Sequence, residues 1–166
     1  MNHLRAILAL PFTVLVIIPT ILLSATGTIN IGWSLAMPLS FAPPIIGLFF
    51  IGAGLTMMYK TIALFARVGK GTLAPWEPPQ KLVVHGIYRH VRNPMITGVF
   101  AILLGETILS GSRGLLIWFG LFVLINAIYI PFSEEPRLAR RFGEDYLRYK
   151  RNVPRWIPRV QPWDLS

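Results

Sequence analysis

The sequence of 166 residues contains no cysteine and few charged side chains. Without cysteine, no disulfide framework, thiolate metal site or nucleophilic thiol can carry the function. Charged residues make up 14% of the chain, whereas average globular domains have roughly 25%. Hydrophobic residues make up 54%, which excludes a disordered chain. The composition therefore points away from an ordinary water-soluble domain.

The little charge that exists is unevenly placed. Residues 1–66 hold only Arg5 and Lys60, so most of the net charge of +9 comes from later segments. Five Lys and Arg residues fall in 67–92 against one acid, and eight fall in 134–159 against four acids. These basic segments flank apolar runs instead of forming a water-exposed face, so we predict no nucleic-acid partner. By the positive-inside rule, both segments and both termini are predicted to be cytoplasmic.

Long apolar runs account for most of the remaining chain. The predicted membrane spans are 6–25, 42–66, 95–110 and 115–132, near the 20 or so residues that a spanning helix needs. The first run is interpreted as a retained helix, because its apolar part exceeds the roughly 7–15 residues of a signal-peptide core. The predicted fold is all-α: one domain over 1–166 with about four transmembrane helices, in a bacterial inner membrane or an equivalent membrane.

The short turn at 110–114 predicts that the third and fourth spans form a helical hairpin. Such a hairpin places residues 88–98 beside residues 134–137 at the cytoplasmic surface. Leu138, Phe142 and Tyr146 follow at i, i+4 and i+8, which predicts an amphipathic tail helix on the cytoplasmic leaflet. Membrane lipids are therefore expected partners, and the oligomeric state is left open.

Polar groups at this surface are the candidates for chemistry. Segment 71–98 contains four prolines and three glycines, most of them before the third span, and its irregular backbone can bind a polar ligand. Glu134 and Glu135 stand at the water–lipid boundary, where a carboxylate favours an ammonium or sulfonium group. Arg92 and the intramembrane Glu106 are the candidate catalytic residues. No metal site is predicted.

An ordered set of motifs in segments 71–98 and 133–158 resembles the isoprenylcysteine carboxyl methyltransferase and phospholipid methyltransferase superfamily. The similarity covers residues 69–158 approximately. The residues that carry it are Gly71-Thr72, Pro75, Pro78-Pro79, Leu82-Val83, Gly86, Tyr88, Arg92-Asn93-Pro94, Gly98, Gly105-Glu106, Glu134-Glu135, Leu138, Phe142-Gly143-Glu144, Tyr146, Tyr149 and Val153-Pro154.

The resemblance implies S-adenosylmethionine as the methyl donor and a lipophilic or small-molecule methyl acceptor. It also implies which residues bind the cofactor: Gln80, Lys81, Leu82, Val83, Tyr88, Asn93, Pro94, Met95, Ile96, Gly98, Glu134 and Glu135. Prenylcysteine enzymes of the superfamily carry an arginine at the position of Ile130, which argues against a prenylcysteine acceptor here. A carboxylate, an amine, a thiol and a hydroxyl acceptor all stay open.

Two other functions fit the same sequence. A membrane reductase with a nicotinamide cofactor shares a related carboxy-terminal architecture, but the chain is short for that class. A non-catalytic membrane partner with a degenerate cofactor pocket is the second alternative, because Asn93 and Ile96 replace the histidine and tyrosine that many superfamily members carry.

Overall fold

The computed structural model describes residues 10–27, 29–68 and 82–164, with only the backbone described for 65–68. The described residues form helices and loops, with no strand among them. Their α-helices are, in chain order, α1 (Ile18–Thr26), α2 (Ala42–Val68), α3 (Pro94–Ser110), α4 (Arg113–Tyr129) and α5 (Glu135–Asn152). Single π-helical turns precede α1 at Thr13–Ile17 and join α4 to α5 at Ile130–Glu134. The predicted all-α class is confirmed for this part of the chain.

Three helical stretches in the described residues are long and apolar enough to cross a membrane. They are Leu10–Ser34, Leu39–Leu64 and Arg113–Asn152. Helix α3, which corresponds to the predicted span 95–110, is apolar but only 17 residues long. The chain therefore fits an integral membrane protein, and the count of four spans stays a prediction.

Both ends of α3 lie where the sequence placed them. Proline occupies the first helical position at Pro94, where its missing N–H costs nothing. The helix ends at Ser110, and α4 begins at Arg113 after a two-residue turn. Gly111 has a φ of +62°, and a Cβ added there would lie 2.8 Å from the Asn30 carbonyl oxygen. Only glycine fits this turn.

The chain divides into two compact units. One comprises the residues up to Thr56 together with Gly98–Val123, and the other comprises Met57–Thr97 together with the residues from Leu124 onward. Helices α2, α3 and α4 each contribute residues to both units. The two predicted chemistry-bearing segments, before α3 and after α4, fall largely in the second unit.

In the first unit, α2 and α3 pack closely at glycines spaced seven residues apart. A Cβ added at Gly47 would lie 2.8 Å from the Gly105 carbonyl oxygen, and one added at Gly54 would lie 2.5 Å from the Gly98 carbonyl oxygen. Real Cβ contacts are essentially never that short. The two backbones therefore approach each other at two levels, as small residues permit in membrane helices.

The second unit has its own apolar core around α5. Val84, Tyr146, Tyr149 and Val153 are buried there, and partly buried residues pack against them: Leu82, Leu138, Ala139, Phe142 and Trp163. Leu138, Phe142 and Tyr146 thus lie on one side of α5 and face this core. The predicted position of the tail helix on the cytoplasmic leaflet stays a prediction.

Helix α5 is bent at Gly143. This residue has a φ of 58° and a ψ of −136°, a conformation outside the helical region. Such a backbone conformation is accessible almost only to glycine. The bend divides α5 into a first half ending at Phe142 and a second half that carries the buried Tyr146 and Tyr149.

Candidate functional site

The loop before α3 is tied to the C-terminal tail by main-chain hydrogen bonds. The loop includes a 3-10 turn at Gly86–Arg89. Four backbone bonds join loop and tail: Arg92 N–H to Pro154 O (2.9 Å), Asn93 N–H to Arg155 O (3.2 Å), Arg159 N–H to His90 O (2.9 Å) and Trp163 N–H to Arg89 O (3.0 Å). Because irregular backbone groups need partners away from water, the tail both satisfies and positions the loop.

The Glu135 carboxylate is the centre of a buried charge cluster in the same unit. Its side chain is 2% exposed. Three cations surround it: Arg92 Nη1 lies 2.7 Å from Oε1, Arg155 Nε lies 2.6 Å from Oε1, and Lys150 Nζ lies 2.8 Å from Oε2. Arg155 Nη2 adds a bond of 3.1 Å to Oε2. Glu135 therefore joins the loop, α5 and the tail.

The cations decide the protonation state of Glu135. Burial by itself raises the pKa of this carboxyl, but the hydrogen bonds from Arg155 and Lys150 and the charge of Arg92 lower it to about 2. The side chain is fully ionised at neutral pH and both of its oxygens are occupied. Its geometry makes Glu135 a structural anchor, with no oxygen left over for a ligand.

Glu134 differs sharply from its neighbour. It is half-buried, and within the described part of the chain no hydrogen bond to its carboxylate is found. Burial raises the pKa of Glu134, the charge of Arg137 opposes this, and the charge of Glu135 adds to it. A partly desolvated carboxylate without a hydrogen-bonding partner is suited to a positively charged or hydrogen-bond-donating ligand.

Tyr88 lies within the electrostatic reach of Glu134. Burial raises the pKa of the Tyr88 phenol, and the negative charge of Glu134 raises it further. The backbone of Tyr88 is fixed, because its carbonyl oxygen accepts a 2.7 Å hydrogen bond from the Tyr149 hydroxyl. The charge of Glu134, at the end of the π-helical turn, therefore acts on Tyr88 in the loop, and both are predicted cofactor-binding residues.

Other predicted cofactor residues have varied surroundings. Leu82 packs on the core of the second unit, and Val83 is half-buried. Pro94 is fully buried, while Asn93, Met95 and Ile96 are half-buried at the start of α3. The Gly98 carbonyl faces Gly54 of α2, which gives Gly98 a packing role. Gln80 and Lys81 lie outside the described residues.

The two predicted catalytic residues fall in different units. Arg92, besides binding Glu135, donates from Nε to the Val153 carbonyl at 2.9 Å, and its side chain is 9% exposed. Glu106 lies within α3 in the first unit, where its Oε2 is buried and has no hydrogen-bond partner among the described residues. A catalytic role for either residue stays a prediction, and the contacts of Arg92 also give it a structural role.

Sequence reasoning missed the residues that hold the site together. Lys150 and Arg155 were assigned only to the basic tail, and the structure makes both of them partners of Glu135. His90 and Arg89 also bind the tail, through the Arg159 carbonyl at 2.8 Å and the Trp163 carbonyl at 3.1 Å. The only signal in the sequence was the local excess of cations, which does not specify the pairs.

Comparisons with known proteins point to one family. The family model for phospholipid methyltransferase matches residues 43–145, which is more than half of the chain. The protein-S-isoprenylcysteine O-methyltransferase of Schizosaccharomyces pombe is 34% identical over 79 residues. That alignment covers 48% of this chain and 34% of the yeast protein, so the chain spans about a third of the relative that it matches.

Proposed function

We propose that this chain, which belongs to the phospholipid methyltransferase family, is a multi-pass membrane methyltransferase that uses S-adenosylmethionine. The observation that carries the proposal is the family match over residues 43–145, because this range contains the loop before α3 and both acidic residues at the start of α5. Residues 1–166 act in this proposal as one domain, with both termini and the site on the cytoplasmic side.

The residues around Glu134 fit a cationic methyl donor. When bound, S-adenosylmethionine supplies a methyl group activated by a sulfonium. Glu134 offers a half-buried carboxylate to the positive charge of such a ligand, and burial raises the pKa of this carboxyl although the charge of Arg137 opposes the shift. Tyr88, Asn93 and Pro94 are the loop residues proposed to line the same site, with Leu82, Val83, Met95 and Ile96 as apolar neighbours.

Positioning is the main task left to the protein, because methyl transfer from a sulfonium is an in-line displacement. Arg92 and Glu135 hold the loop against the tail, and Tyr149 fixes the Tyr88 carbonyl. In this proposal Glu135 acts through these contacts, while Glu134 touches the cofactor. The buried core beneath the loop excludes water from one side of the site.

The acceptor is proposed to be lipophilic and to enter from the bilayer. Ile130, a buried apolar side chain, stands at the position where prenylcysteine enzymes carry an arginine. Arg92, the loop cation closest to α3 in sequence, is bound to Glu135. These two features disfavour a carboxylate acceptor and favour an amine, a thiol or a hydroxyl.

Calorimetric titration of the detergent-purified protein with S-adenosylmethionine tests the cofactor. We expect binding by the wild-type protein, and Glu134→Ala weakens it far more than Glu144→Ala, whose side chain is exposed at the bend of α5. Equal effects of the two substitutions would reject the role of Glu134. Absence of binding by the wild-type protein would reject the donor.

Transfer of labelled methyl groups into a native lipid extract tests the reaction itself. The wild-type protein should label a lipid fraction in the presence of labelled S-adenosylmethionine, and mass spectrometry should find a lipid heavier by one methyl group. Donor binding without any labelled product, in lipids or small molecules, would favour a non-catalytic membrane partner.

A further inference from the structure

Three arginines form the outer side of the first half of α5. Arg137, Arg140 and Arg141 are all exposed, whereas Leu138 and Ala139 between them pack towards the core. At about 100° per residue, the three arginines share a sector of about 100° on the helix. Arg137, Arg140 and Arg141 together form the arginine face of α5. Every exposed side chain between Glu135 and Phe142 belongs to it.

Two arginines of this face, Arg137 and Arg140, are held along the helix surface by hydrogen bonds. The Arg137 Nη2 donates to the Tyr129 hydroxyl at 2.6 Å, and its Nε donates to the Ser133 carbonyl at 3.2 Å. The Arg140 Nε donates to the Pro136 carbonyl at 3.4 Å. Both side chains thus bend back towards the end of α4. Because an arginine has five N–H donors, Arg137 keeps three for another partner.

The charge of the arginine face is not compensated by acidic side chains. Other arginines of the second unit have carboxylate partners: Arg92 and Arg155 bind Glu135, Arg89 binds Asp164, and Arg151 lies 3.9 Å from Glu144. In the described residues, none of the three arginines of the face makes such an ion pair. Arg137 has an electrostatic effect on Glu134 but no contact with its oxygens. The face is therefore complementary to an anion.

The position of the face along its helix identifies the anion. Helix α4 and the π-helical turn run without a charge from Gly114 to Ser133, and twenty residues at about 1.5 Å each match a hydrocarbon core of about 30 Å. Near the end of this apolar stretch, Phe132 is 79% exposed, as a lipid-facing side chain would be. The arginine face follows within the next nine residues of the same continuous helix. With Gly114–Ser133 across the hydrocarbon core, the arginine face would begin at about the depth of the phosphate groups.

We propose that Arg137, Arg140 and Arg141 form a docking surface for the phosphate groups of anionic phospholipids in the leaflet where α4 ends. Guanidinium groups bind phosphate through paired N–H donors, and Tyr129 supports the first of them. The second half of α5 has a different character, because Glu144 and Asp145 are exposed beside its arginines. The proposal rests on the membrane placement and does not depend on methyl transfer.

Lipid titration of the detergent-purified full chain by native mass spectrometry tests this surface. Phosphatidylglycerol is the anionic probe, and phosphatidylcholine is the zwitterionic one. The test variant is R140Q/R141Q, and R148Q/R151Q removes the same charge from the second half of α5. Each arginine near an anionic surface raises the lipid affinity about fivefold. We therefore expect R140Q/R141Q to bind phosphatidylglycerol about 25-fold more weakly than the wild type. The control should stay within about twofold.

Three results would overturn the proposal. They are unchanged phosphatidylglycerol binding by R140Q/R141Q, an equal loss in R148Q/R151Q, and displacement of the lipid by millimolar inorganic phosphate. Both variants change exposed side chains, so thermal unfolding midpoints close to that of the wild type are expected. If the double variant does not fold, R141Q against R151Q gives the same comparison, with about a fivefold loss expected for R141Q alone. No methyl donor is present, so the result is separate from that of the cofactor titration.

Discussion

Arg92 and Glu135 form a buried ion pair that connects the loop before α3 to the start of α5. The Nη1 and Oε1 atoms are 2.7 Å apart, the residues are 43 positions apart, and the two side chains are 9% and 2% exposed. Removing two charges from water is costly, and only additional hydrogen bonds offset that cost. Here Arg155 and Lys150 supply them to Glu135, and the Val153 carbonyl accepts one from Arg92. The pair is thus one part of a cluster in which three cations donate hydrogen bonds to Glu135.

Replacing Glu135 should destabilise the second unit strongly. Glu135→Gln leaves Arg92 and Arg155 without their anion, and breaking one side of a buried pair costs about 3–5 kcal/mol. Glu144→Gln is the matched control, because its carboxylate is 85% exposed and lies 3.9 Å from Arg151. Thermal unfolding in detergent, followed by tryptophan fluorescence, measures both. Equal unfolding midpoints for the two variants would contradict the assigned role of Glu135.

Acid should weaken the protein through the same carboxylate. The pKa of Glu135 is lowered to about 2 in the folded state from an ordinary value of 4.5, so the unfolded state binds a proton first as the pH falls. The stabilising contribution is complete above about pH 4.5 and disappears as the pH falls towards 2. Unfolding midpoints between pH 6 and pH 2.5 should fall more steeply for the wild type than for Glu135→Gln. If the unfolding midpoints of the wild type and of Glu135→Gln fell equally with pH, protonation of Glu135 would not be the cause of the acid sensitivity.

The apolar helices could be predicted from the sequence, but the ion pairs between charged side chains could not. Apolar length predicted apolar helices within the three long helical stretches, and Pro94 and Gly111 predicted the two ends of α3. Each of these signals is local, because a proline or a glycine acts on its own backbone. The all-α class and the two ends of α3 could therefore be predicted without tertiary information, whereas the continuation of α4 into α5 could not.

The difference between Glu134 and Glu135 could not be predicted in the same way. The two residues are chemically identical and adjacent, yet neighbouring helical positions point about 100° apart. Only Glu135 meets the three cations, which come from the loop, from α5 and from the tail. The hydrogen bonds between residues 89–93 and 154–163 are equally non-local. Sequence motifs locate Glu134 and Glu135 but do not say which of the two carboxylates is already bound by cations of the protein itself.

The glycine contacts between α2 and α3 predict a sharp difference between two nearby positions. Gly54→Ala would place a Cβ 2.5 Å from the Gly98 carbonyl oxygen and 2.6 Å from Ile102 Cγ1, whereas nothing lies within 4 Å of a Cβ at Gly52. Overpacking of this kind costs about 1–3 kcal/mol. Thermal unfolding in detergent should therefore show a lower midpoint for Gly54→Ala and little change for Gly52→Ala. A similar midpoint for both variants would show that the two helices separate readily.

Binding of the methyl donor should depend on pH through Glu134. Burial raises the pKa of this carboxyl in the ligand-free protein, and a cationic ligand favours the ionised form. Binding therefore releases protons, and the affinity for S-adenosylmethionine should fall as the pH is lowered through the pKa of Glu134. Glu134→Gln should bind about 10–100-fold more weakly at neutral pH, the range expected for losing a charged hydrogen bond, and should lose this pH dependence. Calorimetry from pH 4 to pH 8, a range that begins below the ordinary pKa of 4.5, measures both quantities, with Glu144→Gln as the control. A wild-type affinity that is constant over this range would place the positive charge of the donor away from Glu134.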